Sequence, residues 1–367
     1  MKIKILIAAG GTGGHLFPAQ QLSEKLLKDG HCEIYFAGHK LAETPFFKRE
    51  GVFFKEIASA PLKNIFLFFA AVWKGFFQSL RLIRSFKPDA VVGFGSFHSF
   101  PVLLAAAVLR KKIVLFEANC LLGKVNRLFI PIACKIALQF PVEKKLSGKE
   151  VYVPLLPWNL FYNSVKKHSQ SEARAAFQLS PDLFTILVFG GSQGAAFLNQ
   201  AFCDATRLLK QKGLQFQVIH LTGKEGKASY EGAEIPICVK TFENEMPVAY
   251  GAADLVVCRS GAGTVAELIR FQKPAILIPF LYASEDHQKI NGKYLSETVG
   301  GSRLLLQLDA SPERLAEEIL AIKEELQQRK EALQKICRET EGRIDFAQII
   351  RSIALEKRKA IQTDISC

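Results

Sequence analysis

The stretch Ile3-Lys4-Ile5-Leu6-Ile7-Ala8-Ala9-Gly10-Gly11-Thr12-Gly13-Gly14-His15 carries an apolar run straight into a glycine-rich turn. The same pattern recurs twice. Thr185-Ile186-Leu187-Val188-Phe189 leads into Gly190-Gly191-Ser192-Gln193-Gly194-Ala195, and Leu255-Val256-Val257-Cys258 leads through Arg259 into Ser260-Gly261-Ala262-Gly263-Thr264. A helical pattern follows each turn. Glycine lets the chain turn sharply and lets a ligand approach its amides. A helix starting there aims unpaired N–H groups and the positive end of its dipole at that ligand. The first two turns each open one half of the chain. Two such halves, both with anion-binding turns, point to phosphorylated ligands.

Short Val/Ile/Leu/Phe runs alternate with helical patterns throughout, which reads as βαβ units around parallel sheets. First-half strands are expected near residues 3–8, 33–37, 90–94, 113–116 and 135–139, with helices from Pro18, around 66–86 and around 101–110. Second-half strands are expected near 185–189, 216–221, 236–239, 255–258 and 275–279, then a long charged helix from Pro312 to about Arg338. The amphipathic Ile344 to Leu355 reads as a final helix before a basic tail. The expected division is 1–156, 157–342 and 343–367, with the first boundary near Pro154-Leu155-Leu156-Pro157.

At 367 residues the chain is long enough for two cores. It is 49% hydrophobic, yet no run reaches the roughly 18 apolar residues of a spanning helix. The N-terminal apolar run is too short for a signal peptide and reads as a first strand. Eight cysteines without a Cys-x-x-Cys pair fit scattered reduced thiols, not a disulfide framework. The net charge is +13, and it is uneven: residues 1–156 hold 22 Lys+Arg against 10 Asp+Glu, and residues 157–367 hold 26 against 25. The first half is therefore expected to face something anionic.

The segment Pro61 to Lys87 holds six phenylalanines, Trp73, five basic residues and no acid. One reading is an ordinary helix with its apolar stripe in the core. The other is a basic amphipathic helix lying on an anionic bilayer, with Phe66, Phe69, Trp73 and Phe77 inserted and Lys63, Lys74, Arg81 and Arg84 at the headgroups. Nucleic acid is disfavoured, because no recognition motif accompanies the charge.

A dinucleotide site wants Gly-x-Gly-x-x-Gly and an acid ending the second strand. Here the first turn gives Gly11-x-Gly13-x-x-Leu16, and the second strand ends at Ala37-Gly38-His39-Lys40. Neither of the first two turns continues as a Walker A loop. His15 is either a structural histidine or, beside an anion-binding turn, a base or diphosphate donor. Glu117, in an apolar strand, is either a satisfied core carboxylate or a catalytic group of raised pKa. Glu267, four residues after Gly263, reads as a first-turn acid that caps its helix, or as a ligand acceptor.

Taken together, Gly10-Gly11-Thr12-Gly13-Gly14-His15-x-x-Pro18, Gly190-Gly191-Ser192-Gln193-Gly194-Ala195, Cys258-Arg259-Ser260-Gly261-Ala262-Gly263-Thr264-Val265-x-Glu267 and Asp286-His287-Gln288-x-x-Asn291 resemble the signatures of the MurG family, in its order, from residue 1 to about 350. The resemblance implies the α/β fold called GT-B: two Rossmann-like domains facing across a cleft, with the final helix returning to the first. It implies inverting transfer of N-acetylglucosamine from UDP to the 4-hydroxyl of a lipid-linked muramyl peptide, at the cytoplasmic face of the bacterial inner membrane. His15 and Glu117 become the candidate bases. Thr12, Gly13, Gly14, Asn119 and Ser192 fall among the substrate-binding residues. On the donor side, Arg259 and the amides of Ala262, Gly263 and Thr264 are suited to the diphosphate, Val265 and Ala266 fall among the substrate-binding residues, and Glu267 would accept both ribose hydroxyls. Phe242 would lie over the uracil, Glu243 would offer backbone contacts, and Gln288 would bind the transferred sugar. No Asp-x-Asp occurs, so helix N-termini are expected to stabilise the leaving diphosphate, and no metal or cofactor is expected.

Three segments depart from the family pattern. Gly95-Ser96-Phe97-His98-Ser99-Phe100-Pro101 stands where the family has Gly-Gly-Tyr-x-Ser-x-Pro. Phe116-Glu117-Ala118-Asn119 replaces His-Glu-Gln-Asn, and Leu155-Leu156-Pro157-Trp158-Asn159 lacks the donor-phosphate arginine of Gly-Asn-Pro-Val-Arg. Two other classes fit parts of the pattern: a UDP-sugar 2-epimerase and a non-catalytic membrane scaffold.

Overall fold

The computed structural model describes residues 2–10, 13–44, 47–48, 50–60, 65–143, 146, 148–156, 169–191, 195–224 and 226–365, with the side chains of 65, 67, 284 and 357–365 outside that description. The chain forms two compact units, Met1–Leu160 with Thr340–Cys367, and Phe161–Glu339.

The first unit is built on seven parallel strands: β1 (Ile3–Ala8), β2 (Cys32–Gly38), β3 (Phe53–Glu56), β4 (Ala90–Gly93), β5 (Lys112–Glu117), β6 (Lys135–Leu138) and β7 (Glu150–Tyr152). Their order is β3-β2-β1-β4-β5-β6-β7. Helices α1 (Gly13–Leu27), α2 (Ile65–Phe86), α3 (Phe100–Val108) and α4 (Lys124–Phe129) connect them. Successive strand residues face opposite sides of a sheet. Ile5 and Ile7 thus join Leu16, Leu22 and Phe36 in one core, while Leu6 and Ala8 join Ile83, Leu103 and Leu115 in the other. Covering both faces is what makes the central strands predominantly apolar, with Lys4, Lys112 and Glu117 as the charged residues of β1 and β5.

The second unit has six parallel strands: β8 (Phe184–Phe189), β9 (Phe216–Leu221), β10 (Ile237–Lys240), β11 (Leu255–Cys258), β12 (Ala275–Leu277) and β13 (Ser302–Leu304), in the order β10-β9-β8-β11-β12-β13. Its helices are α5 (Gln170–Ala175), α6 (Ala196–Gln211), α7 (Met246–Ala252), α8 (Ala262–Phe271), α9 (His287–Lys293), α10 (Pro312–Glu324) and α11 (Leu326–Glu341). The last helix, α12 (Phe346–Ile365), belongs to the first unit. Phe346, Ile350, Ile353 and Ala354 enter its core, and the Phe346 ring stacks on Phe116 with centroids 5.6 Å apart. Asp345 pairs with Lys25 at 2.5 Å.

In each sheet the winding direction reverses beside the first strand, between β1 and β4 and between β8 and β11. Ligands of open α/β sheets bind outside the carboxyl ends of strands at such a point. The three glycine turns follow β1, β8 and β11, so the topology puts all of them there.

Several expected bounds shift. α1 starts at Gly13, and Pro18 is inside it at the sixth position, where its missing N–H forgoes only one early ladder bond. The long charged helix divides at Glu325, which accepts from both Arg303 and Arg329. The final helix starts at Phe346 and continues through the expected tail. β3, β7 and β13 are additional strands of three or four residues at or next to sheet edges.

Candidate functional site

The first unit gathers its chemistry around Glu117, the last residue of β5, which is 5% exposed. Its Oε1 accepts from the Asn119 backbone N–H and from Asn119 Nδ2, both at 3.1 Å. Its Oε2 accepts from the Gly123 N–H at 2.8 Å and from Asn126 Nδ2 at 2.9 Å. A carboxylate has about four acceptor positions, and four N–H groups fill them. Glu117 therefore ties the β5–α4 loop to the end of its strand.

His15 lies in the first turn of α1, half-buried. Gly95, in the β4–α3 loop, holds φ +77°, and a Cβ there would stand 3.7 Å from His15 Nε2 and 3.5 Å from Asn126 Nδ2. Those are ordinary contact distances, so it is the left-handed φ that favours glycine here, and His15, Gly95, Asn126 and Glu117 form one contiguous set. Gly13 and Gly14 open α1 ahead of the helical ladder, half-buried and exposed respectively. Thr12 and Ser192 lie outside the described residues.

In the second unit Gly190 is a steric requirement, because a Cβ there would come within 2.2 Å of Ala195 Cβ. The third turn leads into α8, whose first ladder bond runs from the Val265 N–H to the Gly261 carbonyl at 2.9 Å. The N–H groups of Ala262, Gly263 and Thr264 precede that ladder and make the anion-facing end. The side chains of Val265 and Ala266 are buried in the core, so only their backbone can serve a ligand.

Glu267 is the sixth residue of α8, in its second turn, which corrects the first-turn capping expectation. It is 3% exposed, and the buried Tyr250 hydroxyl donates to its Oε2 at 2.7 Å. Arg259 turns its guanidinium inward, where Nη1 donates to the carbonyls of Ile278 at 2.9 Å and Pro279 at 3.0 Å, over the Phe280 ring. Burial lowers its pKa to about 10. Gln288 Oε1 accepts from the Phe280 N–H at 2.9 Å, and Ser260 Oγ donates to the Gln288 carbonyl at 2.7 Å. The third glycine turn, the exit of β12 and α9 are thus knitted together. Phe242 follows β10 and stands 43% exposed. Beside it, Glu243 pairs with Lys240 at 2.7 Å.

On α2, Phe66, Phe69, Trp73 and Phe77 are 53–83% exposed, and their spacing of three or four places them on one helix face. Val72, Leu80 and Ile83 point the other way into the core. Lys74, Arg81 and Arg84 are exposed, while Lys63 lies outside the described residues. The sequence reading missed a further pair, Leu128 and Ile132, which are 60% and 54% exposed at and just after α4. Among the described residues no helix is long and apolar enough to cross a membrane.

Two units of this topology, with glycine turns at their reversal points, define a GT-B glycosyltransferase fold. The family models for the glycosyltransferase family 28 N-terminal and C-terminal domains match residues 5–138 and 185–348. The chain is similar to the UDP-N-acetylglucosamine--N-acetylmuramyl-(pentapeptide) pyrophosphoryl-undecaprenol N-acetylglucosamine transferase of Protochlamydia amoebophila (strain UWE25), with 38% identity over 324 residues covering 85% of each chain. The transferase of the same name from Hydrogenovibrio crunogenus (strain DSM 25203 / XCL-2) is 38% identical over 328 residues, 86% of this chain and 88% of that one. The crystal structure of Acinetobacter baumannii MurG superposes with a TM-score of 0.74 at 25% identity, covering 96% of this chain and 99% of that one. The chain belongs to the MurG family within glycosyltransferase family 28.

Proposed function

We propose that this protein transfers N-acetylglucosamine from its UDP carrier to the 4-hydroxyl of undecaprenyl-diphospho-muramoyl peptide, with inversion at the sugar carbon, in peptidoglycan synthesis. The observation that carries the reading is similarity to transferases of this name along nearly the whole of both chains. The site geometry supports it from below.

The first unit is the acceptor side. His15, at the start of α1, is the base that takes the proton of the acceptor hydroxyl. Glu117 has its acceptor positions filled by four N–H groups, so it acts as the residue that positions the loop holding Asn119 and Asn126. The amides at Gly13 and Gly14 face the lipid diphosphate. The second unit is the donor side. Glu267 accepts the ribose hydroxyls, Phe242 covers the base, and Gln288 meets the transferred sugar. Negative charge builds on UDP as the glycosidic bond breaks, and the N-terminal amides of α8 are already aimed where it appears. Arg259 holds the walls of that pocket through the Ile278 and Pro279 carbonyls.

The lipid tail of the acceptor stays in the bilayer, so the unit receiving its diphosphate must lie on the membrane. The exposed aromatic face of α2 with its flanking bases suits peripheral attachment at the cytoplasmic face of the inner membrane. UDP release from UDP-N-acetylglucosamine tests the proposal. It should require the lipid-linked muramyl peptide. Equal release without acceptor would point to an isomerase or hydrolase instead.

A further inference from the structure

Two histidines outside the His15–Glu117 set meet beside the first glycine turn. His39 follows β2 and His98 lies in the β4–α3 loop. Their rings stack with centroids 5.1 Å and planes 17° apart. Both stand against Gly10: a Cβ there would come within 3.1 Å of the His39 backbone nitrogen and 3.4 Å of His98 Cβ. Ser59, from the β3–α2 connection, is hydrogen-bonded to His98 Nδ1 at 2.7 Å. That leaves Nε2 as the nitrogen able to meet a ligand.

The loop carrying His98 is held in an uncommon shape. Ser96 is a non-glycine residue at φ +69°, directly after Gly95 at φ +77°. Ser99 Oγ donates to the carbonyls of both, at 2.6 and 2.9 Å, and Ser96 Oγ accepts from the His98 N–H at 3.3 Å. Backbone strain of this kind persists only where the surroundings enforce it. Here its consequence is to place His98 against His39.

We infer that the His39–His98 pair is a proton-coupled contact for the diphosphate of the acceptor, on the flank of the first glycine turn. The inference rests on the transferase reading above. Burial first and the charge of His39 second lower the pKa of His98, so this ring is held toward neutrality. Phosphate oxygens set against both rings cancel their mutual repulsion and accept charged hydrogen bonds, which favours protonation. Among the described residues the surroundings offer little competing charge. His39 is the electrostatic neighbour acting on His98, Ser59 is an uncharged partner, and His15 lies across Gly95. Lys40, next to His39, is paired with Glu43 at 3.0 Å. Because the bound pair carries more protons than the free pair, acceptor affinity should fall as pH rises through the titration of the bound pair.

Inorganic pyrophosphate offers the same chemistry as the lipid diphosphate, so the test has two arms. In the first, NMR follows the ring protons of His39 and His98 with and without pyrophosphate. Their titration should move to higher pH on addition. In the second, acceptor KM is measured over roughly pH 6–8.5, the range of histidine titration, with a soluble short-chain lipid-diphosphate acceptor. His98→Gln and, as a separate variant, His39→Gln should raise acceptor KM about tenfold at the acid end and flatten its pH dependence. The KM for UDP-N-acetylglucosamine and kcat at saturation should change little. An unmoved ring titration, or variants whose acceptor KM and pH dependence match wild type, would overturn the inference. Pyrophosphate binding without any change in acceptor KM would overturn the assignment to the acceptor. Absence of sugar transfer by wild type would remove the transferase reading, and the pyrophosphate arm would still decide whether the pair binds a diphosphate.

Discussion

Glu117→Gln separates chemistry from architecture at the proposed acceptor site. The substitution keeps the side-chain shape but exchanges a carboxylate for one carbonyl and one NH₂ group. The native carboxylate accepts the Asn119 N–H and Nδ2 at one oxygen and the Gly123 N–H and Asn126 Nδ2 at the other. Whichever way the glutamine turns, two of these donors face another donor. A buried donor left without its acceptor costs about 1–3 kcal/mol, so two cost about 2–6 kcal/mol. Asn126 Nδ2 keeps the Phe116 carbonyl at 2.9 Å, which points to the lower half of that range, about 2–4 kcal/mol. At roughly 2–4 °C per kcal/mol for a unit of this size, the unfolding midpoint should drop by roughly 5–15 °C. Circular dichroism melting, beside donor binding by calorimetry, reads both effects. The variant should melt early and still bind UDP-N-acetylglucosamine at low temperature. A variant that melts with wild type and yet loses all turnover would refute the reasoning, because it would make Glu117 a participant in proton transfer.

Other outcomes follow from the same geometry. His15→Ala should lower kcat roughly 10²-fold or more with donor affinity nearly intact, and near-normal turnover would return this histidine to a structural role. Glu267→Ala should weaken UDP-N-acetylglucosamine binding by about 1.5–3 kcal/mol and remove the Tyr250–Glu267 hydrogen bond; unchanged affinity in the folded variant would exclude the ribose role. Flotation with anionic vesicles should recover the protein at low salt and less of it as salt rises. Each of Lys74, Arg81 and Arg84 changed to Gln should remove on the order of 1 kcal/mol, and a wild type that ignores such vesicles would leave the α2 face without this role.

The sequence made the central strands legible because parallel strands buried on both faces must be largely apolar, as β11 is throughout and as β1 and β8 are apart from Lys4 and Thr185. The edge region was not legible. β3 and β7 are four and three residues long and only partly buried, so neither an apolar run nor an alternation marks them. At the site, the glycine turns announced themselves, but the partners of their neighbours did not. Glu117 is read by an amide nine residues on, Glu267 by a tyrosine 17 residues back and Arg259 by carbonyls 19 and 20 residues ahead. Those separations are set by how strands and helices return to one edge of a sheet, which no local pattern encodes. The number of aromatics and the all-positive charge of residues 61–87 left both a buried stripe and an exposed face open for α2, and the exposure of Phe66, Phe69, Trp73 and Phe77 decides between them, whereas the exposure of Leu128 and Ile132 depends on where a short helix ends.

The central claim is sugar transfer to a lipid-linked acceptor, and isolating the product tests it most directly. The protein is incubated with radiolabelled UDP-N-acetylglucosamine and undecaprenyl-diphospho-muramoyl peptide, and the lipid fraction is extracted and its sugar released. The account predicts label in the lipid fraction as a β-1,4-linked disaccharide, one labelled sugar per acceptor. Label that stays entirely in the aqueous phase, as free sugar or as an epimerised nucleotide sugar, would contradict it.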